Sequence, residues 1–409
     1  MEKETVLNVG FDDTDSPKGM CTTFLAYKIV DSLQKQNIEF LDFPRLIRFN
    51  PNIPWKTRGN GAVSFKIKTK NPSKIKDQIK KFVSKYSDIK NGANPGLVFF
   101  ESDTIPIQFT KFSKLALWQL INRNNAKTFA KKNNLEIHYQ GNGQGLVGAI
   151  GAIGYDFDDH TLELLSYRKK SQFGKERKIS TESVKNMQEK TSPNTFNSFD
   201  TKKGRVLITP HGPDPVFYGV RGENVDSLVY ATKILKTTEK LDGYMIFKSN
   251  QGTGDHLKNE LNFENMKPFA SGKISGVVSN MPKIVKGGHV FFKIISKNHE
   301  FWCAVYKPTG MTIVASNLLK GDEISVGGGV RKASKNFPRI INLEFIDIIS
   351  LVKNTTLSNP ECTKCHKKMK SKGANQGFQC IRCGKKALKK ISTEISRNIK
   401  KQLYLPIIS

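Results

Sequence analysis

The chain has 409 residues, with 66 Lys and Arg against 36 Asp and Glu and a formal net charge of +30. That length allows two to four domains, and the excess charge points to a polyanionic partner, nucleic acid first, or to a basic solvated surface. No apolar run approaches the roughly 18 residues that span a bilayer, and no signal peptide is visible, which excludes a membrane role and makes the cytoplasm the expected location. Six cysteines, four of them in paired spacing, fit a reducing compartment and a metal site better than disulfides.

The first informative stretch is VLNVGFDDTDSPKGMCTT, Val6 to Thr23. Val6, Leu7, Val9 and Phe11 predict a strand that ends in three carboxylates, Asp12, Asp13 and Asp15. A turn at Pro17-Lys18-Gly19 follows. Thr22 and Thr23 then open an apolar-periodic helix to about Leu33, where hydroxyls suit the unsatisfied N–H groups of a first turn. Carboxylates crowded together repel, and a hard cation relieves that repulsion; Mg²⁺ takes one or two carboxylates with phosphate oxygens and water. The helix start suits an anionic phosphate. The pattern points to metal-assisted phosphoryl chemistry; the alternative is an Asx-turn that caps the helix. No glycine-rich Walker loop is present.

Phe40 to Lys68 interleaves Arg45, Arg48, Lys56 and Arg58 with Phe43, Phe49 and Trp55, a composition that grips phosphates and stacks bases or else forms an irregular loop on a core. A strand is predicted near Ala62–Ile67 and an amphipathic helix over Lys74–Tyr86. Gly96–Glu101 reads as a buried strand, and Lys114–Asn134 as one helix with a kink near Asn122. Alternating strands and helices predict an α/β or α+β domain. Gly141-Asn142-Gly143-Gln144-Gly145 is either a close-approach loop or a flexible joint. Thr161–Arg168 reads as a strand, and residues 169–203 as a polar excursion. In RVLITPHGPDPVFYGVRGE a strand precedes a proline-stiffened turn with His211, Asp214 and Arg221. A helix over Val225–Lys236 and a strand over Tyr244–Lys248 then lead to Asn250–His256, past a strand's carboxyl end, where open α/β sheets place ligands. His211 and His256 are acid/base candidates or structural histidines.

From Lys267 to Leu351 five short strand-like runs predict an oligonucleotide-binding (OB) barrel. Of Phe291, Phe292, Phe301, Trp302 and Tyr306, fewer than half are expected to be exposed. Cys362-x2-Cys365 and Cys380-x2-Cys383 form a four-thiolate zinc site with no open position, therefore structural. A dense run of cations from Lys364 to Lys401, Arg397 among them, faces only Glu361 and Glu394 and suits phosphates. Cys303 is expected in the core, and nothing about the position of Cys21 makes it a nucleophile.

GFDDTDSPKGMCTT, FPRLIRFNPNIPWKTRGNGAVSF, HGPDPVFYGVRGE and NQGTGDH, followed by a barrel and a four-cysteine ribbon, resemble the archaeal tRNA(Ile) 2-agmatinylcytidine synthetases over nearly the whole chain. The resemblance implies a kinase-like domain at 1–135, a ferredoxin-like domain at 136–262, an OB-fold at 267–352 and a zinc ribbon with a basic tail at 358–409. It implies an ATP-dependent enzyme that joins agmatine to C2 of the wobble cytidine in the CAU anticodon of an isoleucine tRNA, so that AUA is read. The C2 oxygen is phosphorylated, agmatine's amine displaces it, and AMP and pyrophosphate leave overall. The family also phosphorylates one of its own threonines, which implies Thr22, with Thr23 as its neighbour. Phosphoryl transfer needs positioning and charge neutralisation. Asp12, Asp13 and Asp15 with Mg²⁺ supply these, together with Lys18, Arg45, Lys56 or Arg58. Agmatine's guanidinium calls for a carboxylate, for which Asp214 and Asp255 are the candidates. A non-catalytic RNA-binding protein is the rival reading; a ligase with a covalent adenylate is disfavoured because no KxDG motif is apparent.

Overall fold

The computed structural model describes residues 4–335 and 338–406; the ends of the expected domains at residues 1–3 and 407–409 lie outside the described residues. The chain divides into two compact units, residues 1–272 and 273–409.

The first unit is built on one ten-stranded sheet. Strand β1 (Thr5–Asp12) lies between β3 (Gly61–Thr69) and β4 (Gly96–Glu101), antiparallel to both. Side chains alternate across a strand, so Leu7, Val9 and Phe11 enter one core. There they meet Leu25 and Ile29 of α1 (Thr22–Gln34), and Ile75 and Ile79 of α2 (Pro72–Tyr86). Asn71 caps α2, accepting from the amide of Lys74 at 3.1 Å, with Pro72 at the first helical position. Asn8, Gly10 and Asp12 occupy β1's other face. A second core covers it, from α3 (Ile107–Trp118), α4 (Arg123–Lys132) and α5 (Leu146–Gly154).

The helix expected over Lys114–Asn134 is in fact α3 and α4, separated at Gln119–Asn122; the Asn122 side chain caps α4 by accepting from the amide of Asn124 at 2.9 Å. The strand β5 (Glu136–Tyr139) pairs with β4, and the glycine-rich run after it is α5, packed against β1 and β3. Residues 136–154 therefore share the core of the first half.

The second half of this unit carries β6 (Thr161–Arg168), α6 (Thr181–Thr191), β7 (Val216–Gly222), α7 (Val225–Ile234) and β8 (Leu241–Ser249). Its principal strand in the HGPDP region lies after the turn, at Val216–Gly222, with only Arg205–Val206 extended before it. Strand β8 runs parallel to β2 (Arg45–Arg48), pairing Lys248 with Arg45, which joins the two halves into one sheet. Asn250 continues that seam: its side chain accepts from the Arg48 amide at 2.7 Å and donates to the Arg48 carbonyl at 3.1 Å.

The second unit holds a closed five-stranded barrel of β9 (Ser271–Val278), β10 (Val290–Ser296), β11 (His299–Val305), β12 (Glu323–Arg331) and β13 (Ile340–Ser350). Its order is β9-β12-β13-β11-β10, with β10 returning to β9 and β11 parallel to β13. Phe292 and Phe301 fill the interior, while Phe291, Trp302 and Tyr306 are half-buried. Cys303 is a core residue whose thiol is pushed up by burial.

After the ribbon the chain returns to the barrel, and Tyr404 pairs with Ile346. Arg397, counted among the phosphate-binding cations from sequence, is instead buried. Its guanidinium spans both oxygens of Asp322 at 2.7 and 2.5 Å and donates to the carbonyls of Val352 and Asn317. Among the described residues no helix is long and apolar enough to cross a membrane.

Burial opposes ionisation of Asp322, but Arg397 and the amides of Leu319 and Val352 outweigh it and hold the carboxyl below its ordinary value. The stability it contributes is full above about pH 4 and is lost as pH falls through its lowered value. Arg397→Ala leaves that carboxylate buried and uncompensated, and is expected to destabilise the second unit by about 3–5 kcal/mol at pH 7, read by thermal unfolding. A change below about 1 kcal/mol would show that the pair is not the tie described.

Candidate functional site

A cavity of about 920 Å³, including its open mouth, lies at the carboxyl end of β1. Asp12, Asp13 and Asp15 line it with Thr22, Thr23 and Cys21 at the start of α1; Arg48 enters from the end of β2, and Lys56 and Arg58 from the segment between β2 and β3. Trp55 stands at the wall with 49% of its surface exposed.

The floor is set by backbone packing. A Cβ on Gly148 would stand 2.0 Å from Oδ2 of Asp12, and one on Gly145 would stand 2.4 Å from the Asp12 carbonyl oxygen. Glycine at these positions lets the first turn of α5 lie directly on the end of β1. The GNGQG stretch is thus a turn leading into α5.

The electrostatics follow. Burial, with Asp13 and then Asp15 adding to it, pushes the Asp12 carboxyl well above its ordinary value. Burial and Asp15 push Asp13 up to about 7, against hydrogen bonds from Asn94. Asp13 also takes the left-handed conformation, with φ of 56°, which aspartate tolerates better than most residues. Asp15 is partnered. Its Oδ2 accepts from Arg58 at 2.5 Å and from the Thr57 hydroxyl at 3.0 Å. The Thr22 hydroxyl accepts from Thr14 at 3.0 Å, which fixes it at the helix start beside the carboxylates. Burial, then Asp214 and Asp15, push the Cys21 thiol up, so it is no ready nucleophile.

The expected residues divide. Asp12, Asp13, Asp15, Thr22, Lys56 and Arg58 come together around the cavity. Lys18 is exposed in its turn and does not line it. Arg45 also lies away, its guanidinium 4.7 Å from the Phe157 ring. Strand alternation explains this, because Leu46 and Arg48 share the face opposite Arg45 and do line the cavity. The parity is readable from sequence once the strand's limits are known. Arg48 is held by the buried Glu163 at 3.1 Å. Asp214 is buried 3.9 Å from Arg58, whereas Asp255 accepts from the Tyr155 hydroxyl and pairs with Lys258 at 2.7 Å, committed to its own surroundings. Neither His211 nor His256 lines the cavity.

In the ribbon, the sulfur atoms of Cys362, Cys365, Cys380 and Cys383 all lie within 4.8 Å of one another. Zn–S bonds of about 2.3 Å require sulfurs somewhat under 4 Å apart, so the set fits one tetrahedral ion and leaves no position for substrate. Among the described residues the three aspartates do not gather in the same way. Exposed lysines, Lys364, Lys368 and Lys386 among them, surround the knuckles.

An acidic pocket ringed by arginines at a helix start, on a strongly basic chain that also carries an OB-type barrel and a thiolate ribbon, defines a multidomain enzyme built to act on nucleic acid. Family profiles described as the TiaS TCKD domain, the TiaS FLD domain and the TiaS C-terminal zinc ribbon domain match residues 8–142, 143–256 and 359–399. The isoleucine-tRNA 2-agmatinylcytidine synthetase TiaS of Cenarchaeum symbiosum (strain A) is 47% identical over 405 residues, 99% of this chain and 90% of its own length. The crystal structure of TiaS in complex with its isoleucine tRNA and ATP superposes with a TM-score of 0.87 at 34% identity, covering 98% of this chain and 94% of that one. That of TiaS with the same tRNA, AMPCPP and agmatine gives 0.84 at 32%, with the same coverage. The chain belongs to the isoleucine-tRNA 2-agmatinylcytidine synthetase (TiaS) family.

Two outcomes test the geometry. Gly148→Ala is expected to destabilise the first unit by about 1–3 kcal/mol in urea denaturation, the cost of overpacking a rigid contact; an unchanged midpoint would contradict the close approach. Elemental analysis is expected to find one zinc per chain. A chelator strong enough to remove it should abolish hydrogen-exchange protection in residues 360–387, and protection that survives metal removal would contradict a zinc-dependent ribbon.

Proposed function

We infer that the chain uses ATP to conjugate agmatine to C2 of the wobble cytidine in the CAU anticodon of tRNA(Ile), so that AUA is decoded. One observation carries this reading. A chain 47% identical along 99% of its length to a named 2-agmatinylcytidine synthetase of isoleucine tRNA has acid, hydroxyl and guanidinium groups around one cavity. Related structures hold an isoleucine tRNA with ATP, and with AMPCPP and agmatine. An inert RNA-binding scaffold would not need that cavity, since carboxylates oppose RNA binding unless a cation sits among them.

The chemistry divides among the chain's own groups. Asp12 and Asp13 are the proposed Mg²⁺ ligands: they are the crowded, desolvated pair whose ionised forms a cation would favour, and Asp15 is engaged by Arg58 and Thr57. A magnesium ion would supply charge neutralisation for the phosphates. Arg58, Lys56 and Arg48 share that task, with Arg48 taking the place expected of Arg45, and Lys18 standing outside it. Thr22 is the proposed phosphoryl acceptor within the protein, its oxygen lining the cavity at the helix start. Trp55 offers a face on which a splayed base stacks. Of the two carboxylates expected for agmatine's guanidinium, Asp255 is paired with Lys258 at 2.7 Å, and Asp214 is 3% exposed and does not line the cavity. The half-buried barrel aromatics, Trp302 under the Lys293 ammonium at 4.7 Å among them, and the ribbon lysines suit single-stranded RNA. The division into domains at 1–135, 136–262, 267–352 and 358–409 is proposed on the same footing, with β5 and α5 of the second domain completing the core of the first, as is a cytoplasmic location.

Incubation with ATP, agmatine and an unmodified tRNA(Ile) transcript, followed by mass spectrometry of the wobble nucleoside, is expected to show agmatine's addition with loss of the C2 oxygen. Asp12→Ala should lower ATP turnover about 100-fold or more while tRNA affinity stays within about twofold. ATP turnover that persists unchanged in that variant would remove the acidic pocket from the reaction.

A further inference from the structure

Arg177 lies in the second half of the first unit, outside the cavity just described, and is bound unusually completely. Its Nε donates to the carbonyl of Val216 at 2.7 Å, and its terminal nitrogens donate to the carbonyls of Pro210, Gly212 and Asp214 at 3.0, 2.7 and 2.7 Å. One guanidinium thus gathers the carbonyl oxygens of Pro210, Gly212 and Asp214, in and beside the HGPDP turn, and that of Val216 at the start of β7. A free loop would turn such oxygens toward water.

The segment that delivers Arg177 is itself anchored. Arg168 is 1% exposed, pairs with Glu239 at 2.6 Å, and donates to the carbonyls of Lys175 and Glu176 at 2.6 and 3.2 Å.

What this scaffold presents is the carboxylate of Asp214. Its Oδ1 accepts from the Val216 amide at 3.0 Å and lies 3.4 Å from Arg177. Its Oδ2 makes no hydrogen bond among the described residues, although the residue is only 3% exposed. That oxygen stands 3.9 Å from the Arg58 guanidinium, which is at present spent on Asp15 at 2.5 Å and on the Met20 carbonyl at 2.6 Å. An unpartnered buried carboxylate oxygen is costly, and here it stands beside a guanidinium that another carboxylate holds. Burial raises the Asp214 carboxyl, with Arg177 and Arg58 opposing, so its charge depends on the same two arginines.

We propose that Arg177 and Asp214 form a second seat for Arg58, so that Arg177, some distance from the reacting atoms, is a positioning residue for phosphoryl transfer. When a nucleotide phosphate draws Arg58 from Asp15, Asp214 holds the guanidinium at the cavity wall, and its charge stays available to the transferring group. This rests on the reading of the cavity as the ATP site. It also gives the HGPDP turn a task that does not require contact with substrate.

The test measures phosphoryl transfer from ATP by the full chain with tRNA present and agmatine absent, in wild type, Arg177→Ala, Arg177→Lys, Asp214→Asn, Arg58→Lys and the Arg177→Ala/Arg58→Lys double variant. Arg177→Ala and Asp214→Asn are expected to lower kcat about 10-fold or more while KM for ATP and Kd for tRNA move less than about twofold. The double variant should be no slower than Arg58→Lys alone, because the two residues act through one group. Methylguanidinium, admitted through the open cavity that Arg177, His211 and Pro213 line, should restore part of the rate to Arg177→Ala and none to Asp214→Asn. Wild-type kcat in Arg177→Ala, or losses that multiply in the double variant, would overturn the proposal. Should Arg177→Ala fail to fold, Arg177→Lys and Asp214→Asn carry the same two outcomes. An inactive wild type would instead remove the assignment of the ATP site.

Discussion

The rest of the first unit depends on a backbone contact. Helix α5 lies so close to the end of β1 that there is no room for a side chain at Gly148 or Gly145. Close approach excludes water from one side of Asp12 and fixes the loop that follows, so two neighbouring carboxyls are held up where an exposed pair would ionise freely. The site is therefore poised: its acidic groups carry an unfavourable charge that cations and donors can relieve. Ordinary surface aspartates would provide no such driving force.

Relief comes from both halves of the sheet. Arg58 and Thr57 engage Asp15 from the segment between β2 and β3, while Glu163 and Asn250 of the second half fix Arg48. The parallel seam between β2 and β8 makes this possible, because it puts the carboxyl end of β8 beside the cavity wall. A kinase-like half alone would have the acids and the acceptor hydroxyl without Glu163, the carboxylate that orients Arg48. The exposed lysines of the ribbon and the half-buried aromatics of the barrel, features suited to the polyanionic partner implied by the net charge, lie instead in the second unit.

Local patterns are legible in the sequence, and long-range ones are not. Strand β1, the two helices α1 and α2, the barrel strands and the four ribbon thiolates follow from periodicity and fixed spacing, which are properties of neighbours in the chain. Helix α5 escapes such a reading because LVGAIGAIG has poor helix formers at the very places where close packing needs them. Composition favours Arg45 as readily as Arg48 for a phosphate, because it carries no strand parity. Arg397 reads as one more cation of a basic tail, since nothing near it in sequence announces Asp322, its partner 75 positions earlier. The continuity of the sheet across both halves is a pairing between residues about 200 apart, invisible to any local window.

The central claim is that burial at the end of β1 holds the acidic pair protonation-prone until a cation and phosphate arrive. It is tested most directly by carbon-13 NMR titration of the Asp13 carboxyl, in the protein without divalent ions and again with magnesium and a non-hydrolysable ATP analogue. The account predicts titration at about 7 in the first state and a marked fall in the second. An Asp13 that titrates near the ordinary carboxylate value of about 4 without metal, or whose titration magnesium and nucleotide leave in place, would contradict it.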